Sequence, residues 1–317
     1  NYNVTIVDPL PATIAQLIAI NNDTTGTVTL NAATISANYT DTAANIKAAF
    51  AGITSHTGTI TLNDVSVSVA DINTVAGVTS GTVTATATET AAATLVGLTT
   101  TSTDAITVTM AGVSTAASDL NTIDTKTSVA VGATAITGLT GNAADIKTAL
   151  ASSGITTVTD HSLAVNVNSG TASVADINTI NGDSATGVVT ATATQNDIAT
   201  LKTLTTTNTD MITTTVTTAT VAASDLTTVD NATGVVVTAT AVTTLTGTAA
   251  QVQAAYTANT AGTISGLGDE AVTVSDTTSL TATTLSNLNS ATTGLITATG
   301  VTGTVNIYNN KFLSLSF

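Results

Sequence analysis

Ser173 to Ile180 reads SVADINTI, and Gly187 to Thr194 reads GVVTATAT. In the first stretch Val174, Ile177 and Ile180 fall at i, i+3 and i+6, one face of a short helix. Asp176 lies in its first turn, where a negative charge meets the positive end of the helix dipole. Asn181-Gly182 reads as the stop, glycine being the common residue beyond a helix end. The second stretch is β-branched and alternating, as a strand is. Asn196-Asp197 then reads as the cap of another helix with Ile198, Leu201 and Leu204 on its apolar face. Asp210 precedes the next strand, MITTTVT. The local pattern is therefore strand, short helix, strand, short helix.

The same pattern recurs along the chain. Ala70-Asp71-Ile72, Ser118-Asp119-Leu120, Ala175-Asp176-Ile177 and Ser224-Asp225-Leu226 repeat one small–Asp–aliphatic step, with degenerate copies at Leu17 and Leu285. GTVTATAT (Gly81 to Thr88) returns 106 residues later as GVVTATAT, since 187 − 81 = 106. Thr101-Ser102-Thr103-Asp104 returns as Thr207-Asn208-Thr209-Asp210 at the same offset. LTGNAADIKTAL (Leu139 to Leu150) returns as LTGTAAQVQAAY (Leu245 to Tyr256), with an earlier relative in YTDTAANIKAAF (Tyr39 to Phe50). Several landmarks at one offset define a double repeat of about 105 residues.

Strands are expected at Val4–Val7, Gly26–Leu30, Gly58–Leu62, Gly81–Thr88, Ala105–Met110, Ser128–Val131, Ile155–Val158, Gly187–Thr194, Met211–Val216, Gly234–Thr240, Ala271–Val274 and Gly294–Thr299. A crossover of this length favours parallel pairing. The expected fold is an α/β repeat, a parallel-strand solenoid of about 25-residue strand–short-helix coils. Tandem small α/β or all-β modules are the alternative. The solenoid is assigned residues 1–304, and residues 305–317 a C-terminal capping or assembly strand. There VNIYNNKFLSLSF gathers Tyr308, Phe312 and Phe317, and Leu313, Leu315 and Phe317 alternate. An edge strand of this kind can close the last coil or add to a neighbouring subunit, with Tyr2 and Val4 to Val7 as the receiving strand.

The composition narrows the chemistry. Of 317 residues 43% are hydrophobic and only 2% aromatic, and about a quarter are threonine. Asp and Glu total 20 against 5 basic residues, all lysine (Lys47, Lys126, Lys147, Lys202, Lys311), for a net charge of −15. A chain so acidic lacks the basic footprint that nucleic acid requires. There is no run of about 18 apolar residues to span a membrane as a helix. With no cysteine, disulfides, zinc–thiolate sites and thiol catalysis are excluded. The chain opens on Asn1 and reads as processed, and its acidic, cysteine-free composition fits an exported protein at the cell surface or outside the cell.

The A/S-D-L/I-N/T-T-I/V step, the T-A-T-A strands after a glycine, and the L-T-G-x-A-A-D/Q-I/V-x-x-A segment together resemble repeats of very large secreted bacterial proteins, cyanobacterial ones especially. Those are surface-layer, adhesin and extracellular-filament proteins. The resemblance spans nearly the whole chain and implies a surface or filament role. Many such relatives carry glycine–aspartate calcium nonapeptides, whereas Gly266-Leu267-Gly268-Asp269 does not match that motif. No metal site is carried over.

Candidates for chemistry are few. His56 and His161 lie in different repeats without repeat-equivalent partners and read as surface histidines. Asp269-Glu270 reads as a solvated turn, with Glu89 the only other glutamate. Asp119 with Asp124, and Asp225 with Asp230, recur at the repeat offset. They are read as helix-start caps and turns, with calcium as the alternative ligand. No G-x-S-x-G elbow and no phosphate-binding loop occurs. Asn3, Asn22, Asn38 and Asn231 begin Asn-x-Thr triplets, which arise readily in so threonine-rich a chain. No catalytic, cofactor-binding or metal-ligating residue is assigned. The expected function is a non-enzymatic extracellular structural protein, a head-to-tail homopolymer forming a filament or surface layer. The alternative is an adhesin or phage-fibre segment that binds a cell-surface glycan or partner protein.

Overall fold

A computed structural model describes residues 2–112, 114–156, 163–168, 170–184, 187–278, 280–299, 301–302 and 313–316. The chain is α/β, with short helices alternating with parallel strands. The helices are α1 Ile14–Asp23, α2 Ala32–Ile35, α3 Ala43–Ala49, α4 Val69–Ala76, α5 Ala92–Leu95, α6 Ala117–Asp124, α7 Ala143–Ala151, α8 Val174–Ser184, α9 Ile198–Leu201, α10 Ala223–Asn231, α11 Ala249–Ala261 and α12 Ala282–Ala291. Residues divide into two compact units, 1–140 with 148–163, and 141–147 with 164–317.

In the first unit Tyr39–Asp41, Ile60–Leu62, Val83–Thr86 and Ala105–Thr107 form a four-stranded parallel sheet. Val4–Thr5 pairs with Val28–Thr29, Ser114, Thr115 and Ala116 with Gly138, Leu139 and Thr140, and Val131–Gly132 with Ile155–Thr156. In the second unit Ala164–Val167, Val189–Thr192 and Met211–Thr213 pair in that order. Thr220–Ala222, Thr244–Gly247, Ala271–Val274, Ile296–Thr299 and Leu313–Ser316 form a five-stranded sheet. Two smaller pairs join Val237–Thr238 to Ile264–Ser265 and Leu280–Thr281 to Val301–Thr302.

The core is thin and aliphatic. Along Val83–Thr86 the even spacing buries Val83 and Ala85 while Thr84 and Thr86 face outward. The repeat-equivalent Val189–Thr192 has the same burial pattern. In α8 the expected face is the buried one: Val174, Ile177 and Ile180. One local expectation fails. Helix α8 does not stop at Asn181-Gly182 but continues to Ser184. A glycine in left-handed conformation does end α11, at Gly262 with φ 82°. Every strand expected from the sequence overlaps one in the structure, though most are trimmed to two to four residues. Thr157 and Val158 of one expected strand lie outside the described residues. The structure adds a second set of strands beyond those expected, among them Tyr39–Asp41, Gly138–Gly141 and Thr244–Gly247, that lead directly into helices. In the C-terminal segment, Leu313–Ser316 pairs in parallel with Ile296–Thr299, while Tyr308, Phe312 and Phe317 lie outside the described residues.

Candidate functional site

Many polar side chains are organised by step, reaching from one strand–helix step to the next. The first set caps helices. The backbone N–H at the start of a helix has no partner within the helix, so it needs an acceptor from elsewhere. Asp64 supplies it to Ala43 (2.7 Å), Glu89 to Val69 (2.9 Å), Gln195 to Val174 (2.8 Å), Thr218 to Ile198 (3.0 Å) and Asp276 to Ala249 (2.6 Å). The acceptor always comes from 20 to 27 residues further on, one step along the chain.

The second set comprises buried aspartates. Asp104 accepts the N–H of Val83 (2.7 Å) and of Thr101 (2.8 Å). Asp210 accepts those of Val189 (2.8 Å) and Thr207 (2.8 Å). The two arrangements sit 106 residues apart, as the repeat requires. Asp210 is 3% exposed. Its carboxylate stands where a neighbouring strand's carbonyl would accept the Val189 N–H.

The third set consists of threonine rungs. Thr79 donates to the Gly58 carbonyl (2.7 Å) and accepts the N–H of Gly81 (2.9 Å). Thr292 donates to the Glu270 carbonyl (2.8 Å) and accepts from Gly294 (2.9 Å). Thr24 does the same between Tyr2 and Gly26. Thr127 donates to the Ile106 carbonyl (2.7 Å) and accepts from the N–H groups of Ile106 and Val129 (both 3.0 Å). Thr233 repeats that arrangement on Ile212 and Val235. The glycines beside three rungs are fixed by close approach: a Cβ at Gly81 would lie 2.3 Å from the Gly58 carbonyl oxygen, and one at Gly294 2.1 Å from that of Glu270. These rungs are not among the residues expected from the sequence, and the T-x-G triplet recurring at Thr24, Thr79 and Thr292 is the signal that marks them.

Three of the five lysines join the same scheme. Lys47 pairs with Asp71, Lys147 with Asp176, and Lys202 with Asp225 at 2.9 Å. Each lysine meets the first-turn aspartate of a helix one step on. Hydrogen bonding from Lys47 holds the Asp71 carboxyl below the usual aspartate value, and Lys147 followed by Ser173 does so for Asp176.

The calcium candidates do not converge. Asp119 opens α6 and Asp124 closes it, about 7.5 Å apart along the axis at 1.5 Å per residue and on different faces. Asp225 and Asp230 repeat this on α10. Asp124 instead accepts the Ser152 hydroxyl (2.9 Å), and Asp230 that of Thr263 (2.9 Å). Burial raises the Asp230 carboxyl above its usual value, and its Oδ1 is buried without a hydrogen-bond partner. Asp230 lines an open groove of about 730 Å³ along α10 and α11, with Gln253, Ala254 and Thr257. Among the described residues no three metal-ligating side chains gather.

Two surface assignments are overturned. Glu270 is 1% exposed rather than in a solvated turn: its carboxylate accepts the Tyr256 hydroxyl (2.8 Å) and the N–H of Gly268 (2.7 Å). Burial, the largest cause, pushes the Tyr256 phenol well above its usual value. His56 is also 1% exposed. Its ring packs against Phe50 (centroids 4.9 Å apart) and Tyr39 (5.4 Å), so three of the chain's few rings share one site. His161 lies outside the described residues. In the Asn-x-Thr triplets, Asn3 and Asn38 accept the N–H of Thr27 and Thr59, and Thr24 and Thr233 are buried rungs.

No family model, curated protein or solved structure matches the chain. No helix among the described residues is long and apolar enough to cross a membrane.

Proposed function

We propose that the chain is an extracellular structural protein whose strand–helix steps stack as an α/β solenoid, and whose copies self-assemble head to tail into a filament or surface layer without catalysis. The supporting observation is where the polar groups go. Asp64, Glu89, Asp104, Asp210 and Asp276 each accept a backbone N–H one step away, and Asp225 pairs with a lysine one step away, rather than converging on one another. Side chains used this way make one step hold the next. The parallel pairing adds one strand per step with the same hydrogen bonds each time, so a step from a second copy can extend a sheet by the same bonds. Heterologous contacts of this kind propagate. The net charge of −15 keeps such assemblies hydrated and resists unspecific collapse.

Sedimentation velocity over a wide concentration range tests the proposal. Growth of large species with concentration supports it. A single boundary of one chain at every concentration, with and without calcium, overturns it.

A further inference from the structure

His56 occupies the position that threonine holds in the other T-x-G triplets, since His56-Thr57-Gly58 aligns with Thr24-Thr25-Gly26 and Thr79-Ser80-Gly81. Its two ring nitrogens have different neighbours. Nε2 lies 2.9 Å from the carbonyl of Ala37, an oxygen that can only accept. Nε2 must therefore carry a proton. Nδ1 lies 3.0 Å from the hydroxyl of Thr79. That hydroxyl has one proton and two lone pairs. It donates to the Gly58 carbonyl and accepts from the Gly81 N–H, so one lone pair is left, and it faces Nδ1. In the complete rung at Thr127 the corresponding lone pair is filled by the N–H of Ile106. All the contacts around His56 close together only when Nδ1 also carries a proton, which is the imidazolium.

A neutral ring cannot satisfy them all. With its proton on Nε2, its Nδ1 offers a lone pair to a lone pair. The conflict is relieved by rotating the Thr79 hydroxyl so that it donates to Nδ1 and leaves the Gly58 carbonyl. We infer that His56 and Thr79 form a proton-gated rung, in which protonation of the imidazole returns the Thr79 hydroxyl to Gly58 and deprotonation withdraws it. Among the described residues no other threonine rung has a histidine beside it.

The surroundings decide which state prevails. The face of the ring is covered by Phe50 and Tyr39, and the Tyr39 hydroxyl donates to the Ala12 carbonyl at 2.7 Å. Among the described residues Tyr39, on the strand Tyr39–Asp41, is the titratable group that contacts the ring, the segment of His56, α3 and the Thr79 segment adding none, and burial keeps its phenol protonated. With no carboxylate beside it, burial lowers the His56 value, the Ala37 carbonyl opposing in part. At neutral pH the gate stands open, with the Nε2–H tautomer, and it closes on acidification below the usual histidine range.

The test is nitrogen-15 and carbon-13 NMR on the full chain carrying His161→Gln, which leaves one histidine signal. At neutral pH the expected result is an unprotonated Nδ1 and a protonated Nε2. On acidification the Gly58 carbonyl shift and both ring nitrogens should move with one midpoint, below that of a free histidine. Thr79→Ser should preserve this coupling, and Thr79→Val should abolish the Gly58 carbonyl response. An Nδ1–H tautomer at neutral pH, or a Gly58 carbonyl indifferent to His56 titration, overturns the inference. Should the fold be lost before His56 titrates, the neutral-pH tautomer still decides.

Discussion

The carboxylate of Glu89 accepts the backbone N–H of Val69 at 2.9 Å, closing the start of α4 from one step further along the chain. Helix starts are usually capped by the residue just before them. Here α4 has both caps, for Ser68 also accepts the N–H of Asp71. Removing the distant cap in Glu89→Ala should cost about 1 kcal/mol. Amide exchange at Val69 should accelerate with it. Glu89→Gln should keep most of the stability, because Gln195 does the same for Val174. Equal losses in both variants would show that charge, not acceptance of the N–H, is what matters.

Asp210→Ala orphans the buried N–H groups of Val189 and Thr207 together. An unsatisfied buried donor costs about 1–3 kcal/mol. A loss of roughly 3 kcal/mol is therefore expected, seen as a lower urea midpoint at unchanged slope. Asp104→Ala should behave alike, because Val83 and Thr101 stand in the same relation. A loss comparable to that of an exposed aspartate would contradict the ladder role.

Gly81→Ala places a methyl group 2.3 Å from the Gly58 carbonyl oxygen, a backbone atom that cannot step aside cheaply. Overpacking of this kind costs about 1–3 kcal/mol. Gly170→Ala meets no atom within 4 Å, but φ there is 87°, so its cost is backbone strain alone. Thermal denaturation of the two variants separates steric from conformational cost.

The acid response has two opposed parts. Asp71 and Asp176 have folded values below the usual aspartate value near 3.8, chiefly through Lys47 and Lys147. The native state therefore binds fewer protons than the unfolded one there. Their contribution is present above the usual value and lost as pH falls through the folded value. Asp230 is raised by burial, so its native state binds more protons, and its charged form weakens the fold as pH rises above the usual value. Asp230→Asn should raise the urea midpoint at neutral pH and lose that advantage in acid. Lysine removal should matter little: Lys202→Ala loses a largely solvated pair, worth about 0.5 kcal/mol or less.

The repeat was legible because it rests on residue identity at a fixed offset. The same offset returns in the bonds: Val83 with Asp104 becomes Val189 with Asp210, and Ile106 with Thr127 becomes Ile212 with Thr233. The first-turn aspartates were legible from helix electrostatics, yet their lysine partners were not, since Lys47 and Asp71 are a full step apart. Strands such as Thr244–Gly247 were hidden because they run straight into a helix without a turn signal. The burial of His56 and Glu270 was illegible for a related reason. Each is enclosed by residues beyond its immediate sequence neighbours, Tyr39, Phe50 and Thr79 in one case and Tyr256 in the other. Local polarity carries no trace of such partners.

Negative-stain electron microscopy of the purified protein, with and without calcium, tests the structural role most directly. Long uniform fibres or sheets are the predicted result, in calcium and in chelator alike, because the candidate calcium aspartates are spread over separate ends of α6 and α10. Single short particles under every condition would contradict self-assembly.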